Sequence, residues 1–411
     1  MGLRVRKLVL YIFVILFLMT RFSYILPEFI FNPIICPENV AVALISVWFI
    51  IMEVRGHRTK RMKLDYPWFA YGAIILVITS SIQASRLYGG QSFIDGISAQ
   101  KVFIAGVLFF CIIDKYVKCE YISLDEIFRV IVFCAIVQIF LYFVQFFLGP
   151  SHMLLSCYYT TPGMDSSVNR IRLYGSTSYI GFAYIAVLSN LDRAKKKTRS
   201  YVFIVLVLIF AMVINQGRSF IVQYVMLFVL SLILYKGNFT KRAFAMCLGV
   251  IIVAMALNST YFNTLINTIQ STTISTYSTL GVRYRSQEFY LNFLANHPIL
   301  GGGYPDPTNS SAQMLAGISS GFLVVDNGVY GLAFRYGLLG LCWYIACAIT
   351  MLIKGIKIYR STGNSMHLLK FSTFIMGYMT SVSAFDGFGV FYTGLYLVFA
   401  ANLENALKNR E

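Results

Sequence analysis

The residues of this chain best able to do chemistry gather between Gly281 and Gly340. Arg283, Arg285 and Glu288 come first. His297-Pro298 and the run Gly301-Gly302-Gly303 follow, and then Asp326-Asn327 with Tyr330 close behind. A carboxylate can take a proton from a sugar hydroxyl that lies within about 3 Å of it. Arginine holds a phosphate through two parallel hydrogen bonds, which lysine cannot do. Consecutive glycines open backbone geometries closed to other residues and let amides approach a phosphate or a sugar. The combination suits a site that recognises an oxyanion and activates a hydroxyl. Asp326 is the first candidate base, with Glu288 next and His297 as a further catalytic candidate. Plainer readings stand beside these. Asp326 precedes an apolar run and is also a favoured helix cap. Glu288 stands three residues after Arg285, a spacing that suits an intrahelical ion pair. A lone loop histidine, such as His297 or His152, is ordinarily just solvated.

The elements that must position these residues are hydrophobic. Of 411 residues, 58% are hydrophobic and 12% charged, about half the charge of a soluble domain. A helix needs about 20 apolar residues to cross a hydrocarbon core about 30 Å thick. That length predicts spans near 8–26, 38–54, 66–83, 99–114, 127–148, 173–190, 201–215, 219–235, 243–258, 336–353, 368–384 and 388–406. The expected fold is therefore all-α: one integral membrane domain over 1–411, a bundle of about 12 transmembrane helices. Two sizeable outer loops, approximately 149–172 and 259–326, are its natural site walls. Leu8 to Thr20 leads into Arg21-Phe22-Ser23, which is not a small-x-small cleavage pattern, so the first span reads as a retained anchor.

Charge sets the expected orientation. Most of the 34 Lys and Arg residues fall in alternate connections, such as RGHRTKRMK from Arg55 and DRAKKKTR from Asp192. The positive-inside rule then puts both termini in the cytoplasm. The formal net charge of +17 is thus a topology signal. It does not suggest a nucleic-acid partner, because these cations flank membrane spans rather than form a basic face in water. The cations left for the outer side are Arg21, Arg86, Lys101, Arg170, Arg172, Arg218, Arg283, Arg285 and Arg335, nearly all arginine. Arginines at helix ends also snorkel to lipid headgroups, and that reading suits Arg21, Arg86 and Arg335. Arg218 follows Gln216-Gly217 in a tight turn at the head of a helix. The helix dipole there favours an anion beside it. Arg170 and Arg172 close the first long loop. The eight cysteines fall mostly inside apolar runs and form neither a metal-type cluster nor a disulfide framework.

Taken together, several of these residues resemble the O-antigen polymerase and O-antigen ligase superfamily. They are Arg218 in its Gly-Arg-Ser turn, Arg285-x-x-x-Phe289, His297-Pro298-x-x-Gly301-x-Gly303, Asn327, and after nine residues Gly337-Leu-Leu-Gly340. Arg170 and Gly181 also fit an arginine-x10-glycine pattern found in such polymerases. The resemblance covers residues 210–345 best. It implies a glycosyltransferase working on undecaprenyl-pyrophosphate-linked oligosaccharide at the outer face of the bacterial plasma membrane. No DxD-like acidic pair falls on the outer side, so the enzyme is expected to be metal-independent, and no cofactor is expected either. Expected partners are that lipid-linked glycan, membrane lipids and a chain-length regulator. Ligases of the superfamily carry histidine before the asparagine, where this chain has Asp326, so the expectation leans to a polymerase of O-antigen or capsule repeats. A ligase is the alternative. A polysaccharide or solute transporter is a further one, against which stand the placement of the acidic residues near span ends and the lack of an inverted repeat. In the polymerase reading Arg170, Arg172, Arg218, Arg283 and Arg285 bind the pyrophosphate. Asn327, Tyr330, Gly301, Gly303, Gly337 and Gly340 shape the site or hold glycan.

Overall fold

The computed structural model of the chain describes residues 11–12, 37–56, 63–149, 152, 158–160, 172–174, 178–191, 197–215, 218–235, 279–376 and 388–408. The first and ninth expected spans, Arg170 and the stretch 259–278 lie outside the described residues, apart from Tyr11 and Ile12.

The helices start and stop where local chemistry allows. The helix Pro37–Gly56 (α1) and the helix Pro67–Leu87 (α2) both carry proline in the first turn, where its missing N–H costs nothing. The helix Phe93–Ala99 (α3) is closed by a capping box between Ser92 and Asp95. The helix Lys101–Lys118 (α4) follows at a bend of 64°. The helix Leu124–Leu148 (α5) begins with a second capping box, Ser123 with Glu126, and ends at Gly149 with φ 69°. Strands Tyr158–Thr160 (β1) and Arg172–Tyr174 (β2) form an antiparallel ribbon that pairs Thr160 with Arg172. The span expected from 173 therefore starts later, as helix Ser178–Ser189 (α6), because its first residues are committed to the ribbon.

The helix Lys197–Ile209 (α7) runs on into a π-helical segment, Phe210–Asn215. After it come the helix Arg218–Ile233 (α8), the helix Thr279–Asn296 (α9) and the short helix Ser310–Leu315 (α10). The 35-residue helix Gly328–Thr362 (α11) follows, then the helix Met366–Met376 (α12) and the helix Phe388–Lys408 (α13). Among the described residues four helices are long and apolar enough to cross a membrane, and the bent pair α3–α4 makes a fifth. The chain is an integral membrane protein, and apart from the ribbon the described elements are helical.

The bundle packs around α4, which lies between α1 and α13. Phe109 and Phe391 stack at 4.0 Å, and Trp48 Nε1 donates to Tyr116 Oη at 3.0 Å. Gly106 of α4 meets Phe391 of α13, and Phe110 meets Gly394 one turn on, so the two helices run parallel. Their C-terminal ends share one end of the bundle, with the start of α2 and the end of α1. Lys118 there bonds Asp65 and Asp114, each at 3.0 Å. Lys115 meets Glu53 at 3.3 Å, and Lys354 meets Glu404 at 2.7 Å. We call this the lysine end. The segment from α9 to the start of α11 sits at the opposite end, against the close of α2 and the head of α4: the loop end.

Candidate functional site

The loop end is built on a break in a helix. At Gly337 α11 adopts φ 61° and ψ −155°, so the helical ladder opens. The chain after His297 fills the gap with its own backbone. Leu338 N donates to Pro298 O at 2.9 Å and Leu339 N to Ile299 O at 3.3 Å, while Gly302 N donates to Phe334 O at 2.6 Å. Backbone meets backbone so closely that side chains are barred. A Cβ on Gly337 would lie 2.2 Å from Ile299 O, and one on Gly301 would lie 2.4 Å from Phe334 O. Gly303 touches the backbone of α2 at Ala84 in the same way, and Gly340 is buried on Tyr336. The amides of Gly301 and Gly302 donate to His297 O and Phe334 O. The glycine pattern expected to approach a phosphate or sugar here holds two protein backbones together.

A seat for this loop comes from α2 to α4. Gln83 Nε2 donates to Gly301 O at 3.2 Å and Gln91 Nε2 to Tyr304 O at 2.9 Å, while Gln91 Oε1 accepts from Asp306 N at 3.0 Å. Gln100, at the bend between α3 and α4, is buried. It accepts from Ser80 Oγ and from Tyr336 Oη, each at 3.1 Å, and donates to Ser81 Oγ at 3.0 Å. Arg335, set aside on sequence grounds, lies with its guanidinium 4.6 Å over the Tyr304 ring. These seat residues were missed by motif reading. Their signal was present as polar residues inside apolar runs, which in a membrane span must find partners or a function.

Against the break lies α9. Its inward line is Ser286, Tyr290 and Phe293, packed on Phe334 with Phe289 and Phe322 as a small aromatic core of its own. Leu291 is 49% exposed, because the inward line runs through Ser286 and Tyr290. Ser286 Oγ donates to Asn327 Oδ1 at 2.9 Å, and Asn327 Nδ2 donates to Leu323 O at 2.8 Å. Asn327, 4% exposed, thereby ties α9 to the 3-10 turn Val324–Asn327. The N-cap of α11 is Asn327, not Asp326, and no side chain caps it, since the Asn327 amide is engaged with α9. Asp326 stands in the turn one residue ahead.

Arg285 and Glu288 are exposed on α9, and Arg283, His297 and Tyr330 are half-buried. The Arg283 Nε is sealed from solvent and has no hydrogen-bond partner among the described residues. His297 lies 5.2 Å from the Phe293 ring. Burial, and then neighbouring Tyr290, push the Tyr88 phenol well up from its ordinary value. Neither α9 nor the break gathers three metal-ligating side chains among the described residues.

The structure thus brings Arg283, Arg285, Glu288, His297, Asp326 and Asn327 into one module of α9, the turn and α11. Arg172 and Arg218 belong to a second group. Arg172 stands in β2, which packs against the π-helical segment, and that segment leads to Arg218 at the first position of α8. π-Helical turns break the regular ladder and recur at functional sites.

Residues 203–345 match the family model described as O-Antigen ligase. The match agrees with the resemblance of these residues to the O-antigen polymerase and ligase superfamily. The match takes in Arg218, the whole α9 module and the broken part of α11, and it leaves Arg172 and the α2–α4 seat outside. No curated protein matches the chain. The family points to a glycosyltransferase-like activity in glycan assembly on lipid-linked substrates.

Proposed function

We propose that the protein polymerises a bacterial surface polysaccharide, O-antigen or capsule. It would transfer the growing glycan from undecaprenyl pyrophosphate onto a lipid-linked repeat unit. The observation that supports a glycan-transferring enzyme is the family match, which takes in α9 with Arg283, Arg285 and Glu288. Asp326 in place of the ligases' histidine inclines the reading to a polymerase. The acceptor hydroxyl attacks the anomeric carbon of the growing chain. A new C–O bond forms there, and the bond to the pyrophosphate breaks with its electron pair leaving on the phosphate oxygen. The hydroxyl proton passes to the Asp326 carboxylate, with Glu288 as the second choice and His297 in reserve. Arg172, Arg218 and Arg285, supported by Arg170 and Arg283, hold the leaving pyrophosphate, where fixed donors typically contribute about 3–4 kcal/mol each. Asn327 fixes the turn that carries Asp326, and Tyr330 borders the glycan.

In this reading the loop end faces the exterior of the plasma membrane, both termini are cytoplasmic, and about twelve spans complete the bundle. A chain-length regulator would be a protein partner. Purified protein given lipid-linked repeat units should produce a ladder of products. Uptake of glycan into vesicles without any ladder would instead make it a carrier. A ligase is the second reading, supported by the description of the matching family. One long product on a separate lipid or protein acceptor, with no ladder from repeat units alone, would favour it.

A further inference from the structure

A groove of about 820 Å³ runs along α2 between α1 and α4, from the lysine end to Val77 and Ile97. Its walls are apolar: Ala73, Ile74 and Val77 of α2, with Ile104, Leu108 and Cys111 of α4. Ile74 is 48% exposed, so the groove opens sideways, on the face that a membrane span turns to hydrocarbon. Its other limit is charged, with Glu53, Lys63, Asp114, Lys115 and Lys118 gathered at the lysine end. An occupant must therefore carry a long apolar chain and one compact charged head.

The charges at the mouth differ in what they have left to give. Asp65 and Asp114 already hold Lys118 between them. Lys63 is exposed and makes no ion pair among the described residues, while Lys115 meets a half-exposed Glu53 at 3.3 Å. The mouth thus offers one open cation, Lys63, beside the Lys115–Glu53 pair, whose carboxylate is half-exposed. We propose that the groove binds phosphatidylethanolamine from the leaflet at the lysine end. Its phosphate lies on Lys63 and Lys115, its ammonium donates to Glu53, and an acyl chain runs between α2 and α4. A purely anionic head would draw Lys115 away from Glu53 and leave that carboxylate without a partner, and a choline head has no N–H to donate to it. The tail of the glycan carrier is a poorer fit, because the groove's far limit, at Val77, Ile78 and Ile97, has no charged lining side chain among the described residues to hold a pyrophosphate. The site stands whether or not the polymerase reading holds.

The test uses the full-length protein in nanodiscs containing phosphatidylethanolamine with a photoactivatable group at mid-chain. Crosslinks should concentrate on residues 70–78 and 104–111, about tenfold above those on Ile345 and Ile349 of the exposed α11 face. Lys63→Ala with Lys115→Ala should reduce lipid retained in native mass spectrometry about tenfold. Glu53→Gln should abolish the preference for ethanolamine over choline heads. All three substituted side chains are at the mouth, and an unchanged thermal transition would confirm that the variants fold. Equal labelling of every lipid-facing helix would overturn the site. Displacement by undecaprenyl phosphate would give the groove to the carrier tail, displacement by phosphatidylglycerol alone to an anionic lipid, and crosslinks between two copies of α2 to a dimer contact. Each of these outcomes rejects the proposal.

Discussion

The two ends of the bundle are held together by different chemistry. At the lysine end, helices are joined by ion pairs: Lys115 with Glu53, Lys118 with Asp65 and Asp114, Lys354 and Lys357 with Glu404. At the loop end, Gln83, Gln91, Gln100 and Asn327 do the joining, with backbone against backbone at Gly301 and Gly337. A neutral amide can donate to a buried carbonyl as a lysine can, but it leaves no charge behind. A scaffold carboxylate at the loop end would compete with a phosphate for Arg283 and Arg285. Arg335 at the same end lies over the Tyr304 ring. In the polymerase reading, this arrangement keeps carboxylates out of the helix junctions where the pyrophosphate is to bind.

The strongest way to break this comparison is at the helix break. Gly337→Ala places a Cβ 2.2 Å from Ile299 O at a residue with φ 61°, and strain of this kind costs about 3 kcal/mol. The loop from His297 should detach, activity should vanish, and protease should cut between residues 297 and 327. An intact proteolysis pattern with full activity would mean that the interlock does not hold the site. Next in size is the loss of a cation. Arg285→Ala or Arg218→Ala should lower polymerisation about 100-fold or more while leaving the protein in the membrane, and lysine at either position should restore little of it. Activity that survives both changes would remove the pyrophosphate role from them.

How much of this was visible in the sequence depends on what the signal was made of. The spans followed from hydrophobic length, and α2, α5, α8 and α13 appear close to where composition put them. The break at Gly337 was visible only as a glycine in a motif, because nothing local says that a segment almost forty residues upstream will supply the missing acceptors. Asn327 looked like the neighbour of a catalytic acid, yet its partner is Ser286 on another helix, a pairing no spacing could reveal. The glutamines stand outside every motif of the sequence. Their meaning depends on the long-range contact between α2 and the loop after His297.

The glutamine seat gives a sharper test, because one position can be changed in two directions. Gln83→Leu leaves the Gly301 carbonyl without its donor, and an unsatisfied buried group costs about 1–3 kcal/mol. Activity should fall about tenfold through a loosened loop. Gln83→Glu loses the same donor and adds a negative charge to the loop end, so it should fall further, with a higher KM for the lipid-linked substrate. If the two variants behave alike, charge at the loop end does not matter, and the choice of amides is only a packing choice.

The smallest effect is expected at the lysine end. Glu404 is bonded by Lys354 at 2.7 Å and approached by Lys357 at 3.6 Å, so removing the first leaves the second. The Lys354 side chain is 29% exposed, and partly exposed pairs of this kind contribute up to about 1 kcal/mol, less as salt rises. Lys354→Gln should therefore lower the thermal transition slightly at low salt and hardly at all at high salt, with turnover unchanged at both. A loss of turnover larger than the loss of stability would couple the ion pairs to the reaction. The division of labour between the two ends would then be wrong, since a charge spent on structure at one end would be acting on chemistry at the other.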